Sequence, residues 1–187
     1  MQTKFSNFAL KKLTEQGEGI AVIAMLNVVD LDGDVTLPGA FGEQTVPMVP
    51  AHDWREAPIG KANIKEVGDE VRAEFKLNLA TSTGRDWYEA MRFDLDHPPA
   101  KQQYSYGFSI VEAEDGPFQN RRVRFLKKLA VHEVSPVLLA AGIGTRTLAM
   151  KATAKPDKLE KAYARHVVKW HFRFLESRIE RLRLWTY

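Results

Sequence analysis

The chain has 187 residues, 44% of them hydrophobic and 27% charged, which suits one soluble domain with a real core. It contains no cysteine, so disulfides, thiolate zinc sites and cysteine nucleophiles are excluded, and serine, threonine or carboxylate chemistry is what an enzyme of this composition has left. The formal charge of +3 is uneven: residues 155–187 hold 9 Lys/Arg against 4 Asp/Glu, so a mildly acidic body carries a basic tail that calls for a partner of its own.

The start, "MQTKFSNFALKKL", lacks the apolar core of a signal peptide, and no run approaches the ~18 apolar residues of a membrane span, so a cytosolic protein with no membrane partner is expected. Residues 19–29, "GIAVIAMLNVV", are apolar and β-branched, as in a buried strand, and the turn-rich "DLDGD" closes them. "VTLPGAFGEQTV" reads as a loop or short helix. "VPMVPAHDW" is a short apolar run ending at His52, and "PIGKANIKEVGDEVRAEFKL" alternates around Gly68-Asp69 like a hairpin. In "TSTGRDWYEAMRFD", Ser82 or Thr83 can cap a helix whose one face carries Trp87, Met91 and Leu95, and "DHPPA" stops it. "QQYSYGFSIVEAE" and "RRVRFLKKLAVHEVSPVLLA" are again strand-like, separated by a turn at "DGPFQN".

Six or seven short strands with one inserted helix predict a mainly β protein with helices (α+β), built as a closed or nearly closed antiparallel barrel. The barrel domain is expected over 1–154. Past the linker "TAKPD", an amphipathic helix with a basic polar face is expected to fill 155–187 and to dock, dimerise or bind a scaffold.

Polar groups in apolar strands are costly unless satisfied, and three places stand out: His52, Ser105 and the adjacent His132 and Glu133. A serine hydroxyl needs a histidine to take its proton, and that histidine needs a third group to fix its tautomer. In a regular strand His132 and Glu133 point to opposite faces, so only one of them serves any one site. Such a trio can be picked from almost any chain of this length, so order and surroundings must decide.

Those surroundings resemble the tailed-phage prohead proteases, serine peptidases of capsid maturation related in fold to the herpesvirus assemblins. Five blocks in order carry the resemblance, from Ala21 to Met150: "DLDGDVTLPGAF", "PAHDWREAPIGKA", "TSTGRDWYEAM", "YSYGFSI" and "HEVSPVLLAAGIGTRTLAMKA". The resemblance implies an assemblin-like barrel with Ser105 as nucleophile, His52 as general base and Glu133 as the residue that orients it. The assemblins use a histidine as third member, which leaves His132 as the competing candidate. Ser109, on the same strand face as Ser105, is the backup nucleophile. Oxyanion donors are expected in the glycine-containing loop at Ala141, Gly142 and Ile143.

The resemblance further implies major capsid protein and scaffold as substrates, cleaved inside the assembling procapsid in the host cytoplasm, with self-cleavage at the end. No cofactor or metal is expected, nor nucleic acid as a partner; a homodimer is one use of the tail. The 1, 3, 5 aspartates of "DLDGDV" fail as a calcium loop, because the sixth position is Val35 and the twelfth Phe41, so they are read as a turn. His97 is read as structural, Trp54 as core or groove wall, and Arg146 as a substrate contact or a solvated surface group. A catalytically silent assembly module and a basic-tailed shell-binding protein are the alternatives from other classes.

Overall fold

A computed structural model describes residues 16–151 of the chain. The expected helix from about Lys158 onward, and with it the tail domain, lies outside the described residues.

Strand β1 (Glu18–Met25) is buried along nearly its whole length, as the apolar run from Gly19 onward requires. Two short strands follow, β2 (Asp34–Thr36) and β3 (Gln44–Met48), then a single 3-10 turn at Pro50–His52. Strands β4 (Gly60–Val67) and β5 (Glu70–Leu77) form the hairpin read from the sequence, with Val67 opposite Glu70 and Gly68 at φ 62°, a conformation glycine adopts without penalty. Their alternation places Ala62, Ile64, Val71, Ala73, Phe75 and Leu77 in the core.

Helix α1 (Ser82–Asp96) is capped by Thr81, whose hydroxyl accepts from the Gly84 N–H at 3.1 Å, one position before the expected caps. It buries Met91, packs Trp87 and Leu95 against the core, and ties its buried Tyr88 to the Lys151 carbonyl at 2.7 Å.

Strands β6 (Gln103–Phe118) and β7 (Arg121–Val137) make one long ribbon. Its turn is only Gln119-Asn120, both with positive φ (45° and 68°), so "DGPF" belongs to the strand and not to the turn. Pro117 is tolerated there because, among the described residues, β6 pairs with β7 alone and its other edge carries no strand. Strand β8 (Arg146–Met150) completes the sheet beside β1.

The order β2-β7-β3-β4-β5-β1-β8, with β6 on the far side of β7, corrects two expectations. The sheet is mixed, because β2 and β3 both run parallel to β7. It is also an open, curled half-barrel and not a closed barrel. Among the described residues no ladder joins β6 to β8. Side chains span that gap instead: Thr145 Oγ1 accepts from the Tyr104 N–H at 3.1 Å, and the Tyr104 and Thr147 hydroxyls meet at 2.7 Å. The concave side is filled by Ile23, Leu26, Phe41, Met48, Tyr104, Leu126 and their neighbours, each large side chain contributing roughly 1.5–3 kcal/mol by leaving water.

Candidate active site

Strand β7 assembles the site. Met48, at the end of β3, pairs in parallel with Val134, and the Val49 N–H donates to the Val134 carbonyl at 3.0 Å. The chain then turns back at Pro50–His52, so His52 arrives beside the C-terminal half of β7. Ala51 (φ 49°, ψ 33°) and His52 (φ 58°) are successive non-glycine residues in left-handed backbone. Such residues cost of order 1–3 kcal/mol each and persist only where the surroundings hold them.

Here the surroundings are polar and specific. His52 Nδ1 meets Glu133 Oε1 at 2.7 Å, with the imidazole 42% exposed and the glutamate 2% exposed. A carboxylate this buried demands partners, and the histidine N–H supplies one. The buried Ser135 hydroxyl supplies another by donating to Glu133 Oε2. Its single proton goes to the carboxylate, the stronger acceptor, so the neighbouring Val49 carbonyl is a contact and not a second hydrogen bond, and the hydroxyl oxygen accepts from the His52 backbone N–H at 3.2 Å.

On β6, Ser105 pairs with Ser135 and Gly107 with Glu133, so all four share one face. Gly107 leaves room for the carboxylate of Glu133 and the ring of Trp54. A Cβ there would lie 2.7 Å from Glu133 Oε1 and 3.2 Å from Trp54 Cζ2. The other face of β6 holds Tyr104, Tyr106 and Phe108 in or against the core, and Tyr106 packs edge-on to Phe41. Burial pushes the Tyr106 hydroxyl up to about 12, against the opposing pull of its bond to Thr36, so the ring is a neutral anchor behind the serine.

The opposite-face expectation for His132 and Glu133 is overturned by a β-bulge. Gly107 faces Glu133 but Phe108 faces Val131, which leaves His132 as the extra residue. Its side chain thereby joins the face of Glu133. His132 Nε2 meets the Ser109 hydroxyl at 2.7 Å, and the Trp54 ring stands edge-on to the imidazole at 6.2 Å. Trp54 is 63% exposed, so it is a wall and not core. The face thus carries two histidine pairs: a half-sheltered His52–Glu133 and an exposed His132–Ser109.

The remaining sequence candidates fall elsewhere. Gly142 and Ile143 line a small pocket with Val28, Asp30, Thr36 and Tyr106, on the opposite side of β6 from Ser105, and the Ala141 carbonyl accepts from the Leu31 N–H at 3.1 Å. Arg146 is engaged in structure, donating to the Gly144 carbonyl at 2.7 Å and to Glu70. "DLDGD" is a turn: Asp30 Oδ1 accepts from the Asp32 and Asp34 N–H groups, and Asp34 pairs with Arg124. His97 caps its own helix, meeting the Phe93 carbonyl at 2.7 Å and stacking on that ring. Among the described residues no group of three or more histidines or carboxylates is arranged to hold a metal ion.

Ser135 is the site residue that sequence reasoning passed over. The signal was present: it stands two positions from Glu133, hence on the same strand face, and is a polar residue in an apolar run, as Ser105 is. The family model of the caudovirus prohead serine proteases matches residues 20–159, a span that contains every residue of this site. Neither the curated proteins nor the solved structures supply a match.

Proposed function

Since the chain belongs to the caudovirus prohead serine proteases, and so to a family of capsid-maturation enzymes, we propose that its proteolysis runs through Ser105, His52 and Glu133. The observation that carries this reading is the 2.7 Å contact of His52 Nδ1 with a buried Glu133, on the face where Ser105 stands one residue pair away. With Nδ1–H donated to the carboxylate, the lone pair of Nε2 is left for a serine proton, and the carboxylate stabilises the imidazolium that forms.

In this reading Ser105 Oγ attacks the scissile carbonyl carbon while its proton passes to His52 Nε2. The tetrahedral adduct collapses, the C–N bond breaks, and the departing amine takes that proton. Water, deprotonated by the same nitrogen, then cleaves the acyl ester and restores the serine. The expectation of oxyanion donors at Ala141, Gly142 and Ile143 is not carried into this reading, because their loop borders Tyr106 on the opposite side of β6 from Ser105. The substrates proposed are scaffold and the N-terminal segments of the capsid protein, with self-cleavage. The basic tail, residues 155–187, is proposed to dock on an acidic inner surface of the shell or scaffold.

A specific observation favours a second reading, in which Ser109 is the nucleophile and His132 the base, since these two are in direct contact. Coexpression with the cognate capsid protein separates the two. Intact masses should show shortened capsid protein with wild type and with Ser109→Ala, and only full-length protein with Ser105→Ala. Processing that survives Ser105→Ala and stops with Ser109→Ala would transfer the role to the exposed pair.

A further inference from the structure

The proposed triad leaves one buried hydroxyl without a role. Ser135 is fully shielded from solvent, so it cannot meet a substrate, yet all three of its polar contacts belong to the site: the His52 N–H, the Glu133 carboxylate and the Val49 carbonyl. Two of these contacts hold the base itself. One accepts from the backbone of the residue that carries the imidazole, in the strained left-handed turn. The other donates to the carboxylate oxygen that does not face the imidazole, Oε2, leaving Oε1 to receive Nδ1–H. A carboxylate with two free oxygens can swivel; one anchored through Oε2 presents Oε1 in a fixed direction. Ser135 also sits opposite Ser105 in the ribbon, so the same strand pair that carries the proposed nucleophile carries its geometry.

We infer that Ser135 is a positioning residue for the base: its hydroxyl fixes both the His52 turn and the Glu133 carboxylate, and so holds the imidazole toward Ser105. The inference rests on the triad reading above and adds a fourth member that never touches substrate.

Threonine and valine at position 135 test it, because they have the same shape and differ only in the hydroxyl. The full-length protein is treated with a fluorophosphonate, which forms an Oγ–P bond and expels fluoride as the serine proton passes to the base. The labelled residue is found by mass spectrometry. In parallel, proton NMR follows the far-downfield signal of the His52 Nδ1–H, assigned by its loss in His52→Ala. Wild type and Ser135→Thr should label at Ser105 at similar rates, with Ser135→Val and Ser135→Ala roughly 10- to 100-fold slower, the range seen when the hydrogen-bonding partner that orients a metal ligand is removed. The downfield signal should weaken in the same two variants. Equal labelling and an unchanged signal in the threonine and valine variants would overturn the inference. Absence of label at Ser105 in wild type would instead defeat the triad reading. The NMR signal then still decides whether Ser135 holds the histidine, since equal signals in threonine and valine would dismiss that as well.

Discussion

His52 and His132 lie on one face of the β6–β7 ribbon, but they are held in different ways. His52 belongs to a short turn after β3 and is locked from behind by a carboxylate that is itself locked by Ser135. His132 is a bulge residue whose ring is exposed and whose recorded partner is the exposed hydroxyl of Ser109. The first pair has a base with an orienting group and a serine nearby; the second has a base with a serine. An imidazole that must take a proton and carry charge through a transition state gains most from a desolvated carboxylate behind it. Direct contact with a serine is the lesser qualification, because catalytic contacts are often loose before substrate binds.

The largest effect should come from the serines. Ser105→Ala should abolish capsid-protein processing to the detection limit of intact-mass analysis, whereas Ser109→Ala should retain it. Close behind, Glu133→Ala should lower the cleavage rate on the order of 10³- to 10⁴-fold, as loss of an orienting acid does, while His132→Ala should stay within a few-fold of wild type. A reversal of that pair would give the third role to His132, the arrangement of the assemblins.

An intermediate effect tests how tightly the first pair is built. In Gly107→Ala the new methyl group would press on Glu133 Oε1 and on Trp54. The carboxylate end is the softer neighbour, so it should move off His52 and the protein should stay folded. Cleavage should fall while the circular dichroism spectrum and melting midpoint hold within a few degrees. An unchanged rate would mean that the His52–Glu133 distance is not critical.

What the sequence revealed follows from how local the physics is. The apolar run of β1, the alternation in β4 and β5, the four-residue spacing of α1 and the polar residues His52, Ser105 and Glu133 set in or beside apolar runs are all properties of neighbours in the chain, and each was readable. The parallel pairings of β2 and β3 with β7, the open edge between β6 and β8 and the bulge at His132 depend on register between distant strands. A one-residue shift in register leaves composition untouched yet swaps the face of every side chain beyond it, which is why His132 was assigned to the wrong side. The left-handed turn at Ala51-His52 was equally hidden, since neither residue announces positive φ.

The smallest expected effect concerns stability at the exposed pair, and it sharpens the contrast between the two histidines. Ser109 and His132 meet at 2.7 Å, but both face water, so either group can replace its partner with solvent. His132→Ala and Ser109→Ala should each change unfolding free energy by about 0.5 kcal/mol or less, and the double variant should equal the sum of the singles. His52→Ala should cost more, because the buried Glu133 carboxylate would lose the hydrogen bond to its Oε1. Urea unfolding of the four variants measures this directly. If the double-variant cycle gave a coupling of 1 kcal/mol or more between Ser109 and His132, the bulge would be a structural clamp in its own right, and the division between a built site and an incidental contact would have to be redrawn.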